Sequence, residues 1–159
     1  MKIPLPLSAR YDKKLEMDTE VTVMKPKVFH LSQAERQQFG RRLAELLRGR
    51  DEVVFAYLYG SFAESLPFHD IDLGIYTLGI EQEESTPYSL ALSEGLSKEV
   101  QVPVDVRVLN FAPVLFVYHV IRGHLILDRN EELRTHIVAQ AVQRYLDLKP
   151  MIHRGIKEA

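Results

Sequence analysis

Seven consecutive apolar residues, Val53 to Tyr59, run without a polar interruption. A run of that length fits a strand covered on both faces. It therefore demands apolar helices above and below a sheet. The flanking pattern supplies them. Ser32 and Glu35 have the spacing of a capping box. Phe39, Leu43, Leu46 and Leu47 then form one helical stripe, with Gly49 as its stop. Ile71 to Tyr76 alternates as a second strand, and Glu84 to Val100 has a helical face of Tyr88, Leu92 and Leu96. Pro103 to Leu109 alternates as a third strand. A helix from about Pro113 to Arg122, a short strand at His124 to Leu127 and a last helix from Glu131 complete the pattern. The expected class is α+β (or α/β), a small mixed sheet packed with helices in a single domain. Residues 1–30 read as an N-terminal extension, with a possible edge strand at Glu20–Val23. Residues 31–148 are the body, and the basic tail from 149 to 159 is expected to fray.

Within the body, two carboxylates break the apolar order. Gly60-Ser61 is followed after eight residues by Asp70-Ile71-Asp72. Side chains alternate across a strand, so Ile71, Leu73 and Ile75 face one way and Asp70, Asp72 and Gly74 the other. By the same rule Val104, Val106 and Val108 oppose Asp105 and Arg107. If both apolar triplets meet the same helices, Asp70, Asp72 and Asp105 share the opposite face. Three carboxylates brought together raise one another's pKa values. A hard divalent cation, chiefly Mg²⁺, relieves that repulsion and keeps positions open for phosphate oxygens. Gly60 permits close approach, and a short helix starting at Ser61 would offer amide groups to a phosphate. Taken singly, Asp-x-Asp and Gly-Ser also fit a solvated strand end and an ordinary turn. Their combination with a third strand aspartate points to metal-assisted chemistry on a nucleotide.

Gly60-Ser61-Phe62-Ala63, Asp70-Ile71-Asp72-Leu73 and Asp105 within Val102–Val106 resemble the nucleotidyltransferase superfold of DNA polymerase β type. Within it, the chain is similar to the minimal nucleotidyltransferases that act as antitoxins of HEPN-domain toxins. The stretch FAPVLFVYHVIRGHLILDRNEE and the ending RYLDLKP share in the likeness, which spans roughly 31–150. The resemblance implies that Asp70 and Asp72 hold two Mg²⁺ ions, and that Asp105 ligates the catalytic one and helps deprotonate the acceptor. It implies that Gly60 and Ser61 contact the terminal phosphates of ATP, and that AMP passes to a tyrosine of a HEPN ribonuclease toxin. Two departures touch the phosphate turn. The Ser-to-Asp spacing is shorter than the family commonly has, and Glu64-Ser65 stands where Arg-Gly is usual.

Other classes are weighed by the same residues. A contact-only binding module would explain the altered turn but not the intact carboxylates. A small-molecule nucleotidyltransferase of aminoglycoside type usually needs an added helical domain, for which little chain remains. Arg107 is placed either to contact a phosphate or to pair with a carboxylate, and the pairing is the favoured expectation. His69 is a loop histidine or an orienting group, and Tyr57 and Tyr59 are expected in the core. Arg129 and His136 have the spacing of a HEPN ribonuclease motif by coincidence. The net charge of -2 gives no global field for nucleic acid or anionic lipid. The chain has no cysteine, which excludes disulfides and thiolate zinc sites. The longest apolar stretch, Ala112 to Ile121, contains His119 and is too short to span a bilayer. With no apolar run of signal-peptide length at the N-terminus, the expected setting is cytoplasmic.

Overall fold

Every residue of Val53–Tyr59, strand β1, is buried, and the strand is paired along both edges. The computed structural model describes residues 26–158. In it β1 runs antiparallel to β2 (Ile71–Thr77) on one side and to β4 (His124–Asp128) on the other. β3 (Val104–Val108) joins β2 in parallel, giving the order β3-β2-β1-β4. A parallel neighbour requires a crossover, which helix α3 (Gln82–Val100) provides. The remaining helices are α1 (Gln33–Arg48), the single turn α2 (Gly60–Ala63), α4 (Val114–Ile121) and α5 (Glu131–Glu158).

The helices cover the sheet on both faces. On one face, Phe39, Leu43 and Leu47 of α1 and Leu92, Leu96 and Val100 of α3 meet Ile71, Leu73, Ile75, Val104 and Val106. On the other, Phe55, Tyr57 and Tyr59 pack with Leu109 and Val120, joined by Phe116, Leu133 and Ile137. A register irregularity between Val53 and Phe55 lets the consecutive Val54 and Phe55 both enter this second cluster. Ile71, Leu73 and Ile75 are each fully buried. Each such side chain contributes roughly 1.5–3 kcal/mol, enough to hold β2 in place although its other face carries Asp72.

The capping box at Ser32 forms as its spacing suggests. Glu35 N–H donates to Ser32 Oγ, and Ser32 N–H donates to Glu35 at 2.7 Å. Gly49 closes α1. α5 differs from expectation, because it continues past Lys149 through Pro150 to Glu158 instead of fraying. Proline removes one backbone donor but fixes φ near the helical value, and Met151, Arg154 and Lys157 beyond it are good helix formers. The edge of β3 is sealed from α3. Val104 N–H donates to Ser97 Oγ and Val106 N–H to Ser93 Oγ, each at 2.9 Å. The candidate edge strand at Glu20–Val23 lies outside the described residues. Phe29, from the end of the presumed extension, belongs to the core. It exchanges backbone bonds of 2.8 and 3.2 Å with Phe68 and stacks on its ring.

One buried cation organises the loop between α2 and β2. Arg36 of α1 is 8% exposed and donates to the carbonyls of Leu31, Phe62 and Leu66 at 3.1, 2.7 and 2.7 Å. Its guanidinium carbon lies 5.4 and 5.2 Å from the ring centres of Phe62 and Phe68. Burial lowers its pKa, yet a guanidinium starting so high stays charged at neutral pH. The fork satisfies carbonyls that the short loop cannot pair within itself. Arg36→Ala is expected to lower stability by about 2–4 kcal/mol. Arg36→Lys should recover only part, because an ammonium lacks the planar fork. Urea unfolding of the three proteins measures both.

Candidate active site

Tyr59, Asp72 and Asp105 form a row across three neighbouring strands. Tyr59 is the Cα partner of Asp72, and Asp72 of Asp105. The parallel register of β2 and β3 thus sets two carboxylates side by side, as their alternation with Ile71, Leu73, Val104 and Val106 anticipates. Asp70 lies one residue before β2 and is exposed. Arg107 follows on β3, opposite Gly74, and its Nε donates to Asp105 Oδ2 at 3.2 Å. That is the carboxylate pairing expected of it.

Two glycines make room for this arrangement. Gly60 has φ +72°, and a Cβ there would overlap Asp72 Oδ2, with Asp72 Cγ only 3.3 Å away. Residue 60 must therefore be glycine for both its backbone and its neighbour. A Cβ at Gly74 would meet the Val120 side chain, so α4 lies directly on β2. α4 also brings Phe116 and His119 to the site, edge-on to Tyr59 at 5.6 and 5.7 Å. Sequence reasoning missed both. Their spacing places them on one helical face, but only the packing of α4 reveals which face meets Tyr59. Ser61 lies in the single turn of α2, and its carbonyl accepts from Leu66 N–H at 3.0 Å.

The electrostatics are unbalanced. Burial first, then the charges of Asp70 and Asp105, push the Asp72 carboxyl up to about 6, with Arg107 opposing them. Burial first, then the charges of Asp72, Asp105 and Asp70, raise the Tyr59 hydroxyl against Arg107, and it stays protonated at neutral pH. Three carboxylates thus share one arginine. The donor set suits a hard cation. Among the described residues, however, no three aspartate, glutamate or histidine groups are gathered closely enough to hold a metal ion by themselves. Magnesium does not require such a cage, since one or two carboxylates, water and substrate phosphates suffice.

Other singled-out residues lie elsewhere. His69 is exposed, with Nδ1 2.9 Å from the Lys27 carbonyl. Tyr57 is in the core. Arg129 donates to the Arg48 carbonyl and ties the end of β4 to the end of α1. Among the described residues, no helix is long and apolar enough to cross a membrane.

Residues 41–132, more than half of the chain, match the family model described as polymerase beta, nucleotidyltransferase. The chain belongs to that nucleotidyltransferase family. A comparison with curated proteins finds no match. Among solved structures, the nucleotidyltransferase is similar to a complex of the tri-AMPylated Shewanella oneidensis HEPN toxin with its MNT antitoxin. The TM-score is 0.62 and the identity 17%, covering 77% of this chain and 97% of the other. The MntA-HepT toxin–antitoxin structure matches with TM-score 0.61 and 16% identity, covering 77% and 97%. A toxin–antitoxin structure with AMP-PNP gives TM-score 0.59 and 16% identity, covering 75% and 96%. These likenesses establish the shared fold.

The raised Asp72 pKa has a sign that can be tested on the nucleotidyltransferase in EDTA. The native state holds this proton up to about pH 6, whereas the unfolded chain releases it near 4. Between those values the native state binds more protons, so this group favours folding less as pH rises. Above about pH 6 the penalty is complete. Asp72→Asn is expected to stabilise the metal-free protein by about 1 kcal/mol at pH 8, allowing for solvent screening of a half-buried group. It should change stability little at pH 4. Urea unfolding at the two pH values measures the difference.

Proposed function

We propose that this nucleotidyltransferase transfers AMP from ATP to a tyrosine hydroxyl of a HEPN-type ribonuclease toxin and so acts as its antitoxin. The observation that carries the reading is the Asp72–Asp105 pair beside Gly60, within a family fold shared with toxin–antitoxin complexes. Asp70 and Asp72 would hold magnesium with the nucleotide, and Asp105 would join them once released from Arg107. The metal would supply charge neutralisation on the phosphates and a lower cost of ionising the acceptor. Gly60 lets the turn pass against the Asp72 carboxylate, so that phosphates held at the turn lie beside the metal ligands, and Ser61 offers a hydroxyl there. Asp105 takes the proton from the acceptor hydroxyl. The tyrosine oxygen then bonds to the α-phosphorus, the bond to the bridging oxygen of the β-phosphate breaks, and pyrophosphate leaves. A tyrosine hydroxyl has a pKa near 10, so without a base it is a poor nucleophile at neutral pH.

The rival reading is a module that neutralises its partner by contact alone. Glu64 in the phosphate turn, an acidic side chain where phosphates would lie, favours it. A HEPN toxin incubated with this protein, ATP and Mg²⁺ should gain discrete AMP masses in intact-mass spectrometry. Asp105→Asn should slow that gain by about 10²–10⁴-fold while ATP binding persists. Neutralisation with no mass change, equally good in Asp105→Asn, would establish the contact-only module instead.

A further inference from the structure

A cleft of about 630 Å³ opens beside Asp105, between the first half of α3, β3 and the segment leading into α4. Its position matters because transfer at phosphorus needs the attacking and leaving oxygens roughly in line. The turn proposed to hold the leaving phosphates is at the end of β1, Asp105 is on β3, and β2 with Asp72 lies between. Strands are about 4.8 Å apart, so the turn and Asp105 are separated by roughly 10 Å across the sheet. An acceptor attacking opposite the leaving group must therefore arrive from the β3 side, where this cleft lies. Phe116 links the two regions, because it lines the cleft and also meets Tyr59, the strand partner of Asp72.

We propose that this cleft receives the acceptor as a protein segment presenting an aromatic hydroxyl, with Leu90 and Phe111 as specificity-determining residues; this rests on the transferase reading above. The lining supports that occupant. Leu90 is 67% exposed and Phe111 43% exposed, an apolar expenditure that a purely solvated surface does not require. With Phe116 they give an aromatic ring apolar contact. Ser89 and Thr86 offer hydroxyls to a peptide backbone. A polycationic sugar would need several carboxylates, and among the described residues Asp105 is the one acidic residue lining the cleft. A ribonucleotide strand would need several cations to meet its phosphates. Arg107 is the one basic residue there among the described residues, and it is tied to Asp105.

The test offers ATP and Mg²⁺ with one of three acceptors: a tyrosine-containing peptide, kanamycin, or a short oligoribonucleotide. Wild-type protein should adenylylate the peptide and neither of the others. Leu90→Glu and Phe111→Ala should each lower kcat/KM for the peptide about tenfold or more, chiefly through KM. ATP affinity and melting temperature should stay at wild-type values. Transfer to kanamycin or RNA, or wild-type peptide kinetics in either variant, would overturn the cleft assignment while leaving nucleotidyl transfer intact. Transfer to none of the three by wild-type protein that still adenylylates a HEPN toxin would overturn the cleft assignment alone, whereas transfer to no acceptor, the toxin included, would overturn the transferase reading.

Discussion

The Asp72 carboxylate fills the space in which any residue other than glycine at position 60 would carry its Cβ. This close approach joins the two halves of the site. It ties the turn after β1 to the start of β2, and it requires the chain to leave β1 with a positive φ. The sheet fixes the distance, because Tyr59 and Asp72 are already strand partners. The loop that follows must then return to β2 over a short span. Arg36 makes this feasible by donating to the loop's carbonyls, those of Phe62 and Leu66, from α1. The aromatic rings of Phe62 and Phe68 flank that cation, and Phe29 backs Phe68.

That loop is also where the sequence departs from the pattern that the resemblance implies. Ser65 adopts φ +61°, a left-handed conformation usually left to glycine or asparagine. The Arg36 hydrogen bonds on either side of it supply the constraint that holds it there. A shortened loop and an internal arginine therefore fit as one local solution.

Much of the fold was legible because its periods are clean. β1 is a continuous apolar run, and β2 and β3 alternate, so the shared face of Asp72 and Asp105 follows from parity alone. The capping box at Ser32 is local chemistry and was read directly. What stayed hidden depends on contacts distant in sequence. Nothing in the spacing of Arg36 distinguishes it from the solvated arginines of α1. Phe116 and His119 meet Tyr59 only because Val120 lies against Gly74. The pairing of Asp105 with Arg107 was foreseen, since residues two apart on a strand share a face. The length of α5 was not, because the basic tail from Lys149 reads as frayed, whereas the helix runs on through Pro150 to Glu158.

The serine bonds along β3 have a consequence for alignment. Ser93 and Ser97 are four residues apart on α3, a rise of about 6.0 Å. Their partners, Val106 and Val104, are two residues apart on β3, about 6.6 Å. The two scales nearly coincide, so α3 works as a vernier against the strand. A slip of β3 by one residue would strand both hydroxyls and replace Asp105 beside Asp72 with a valine. The helix thereby indexes the carboxylate through the valines on either side of it.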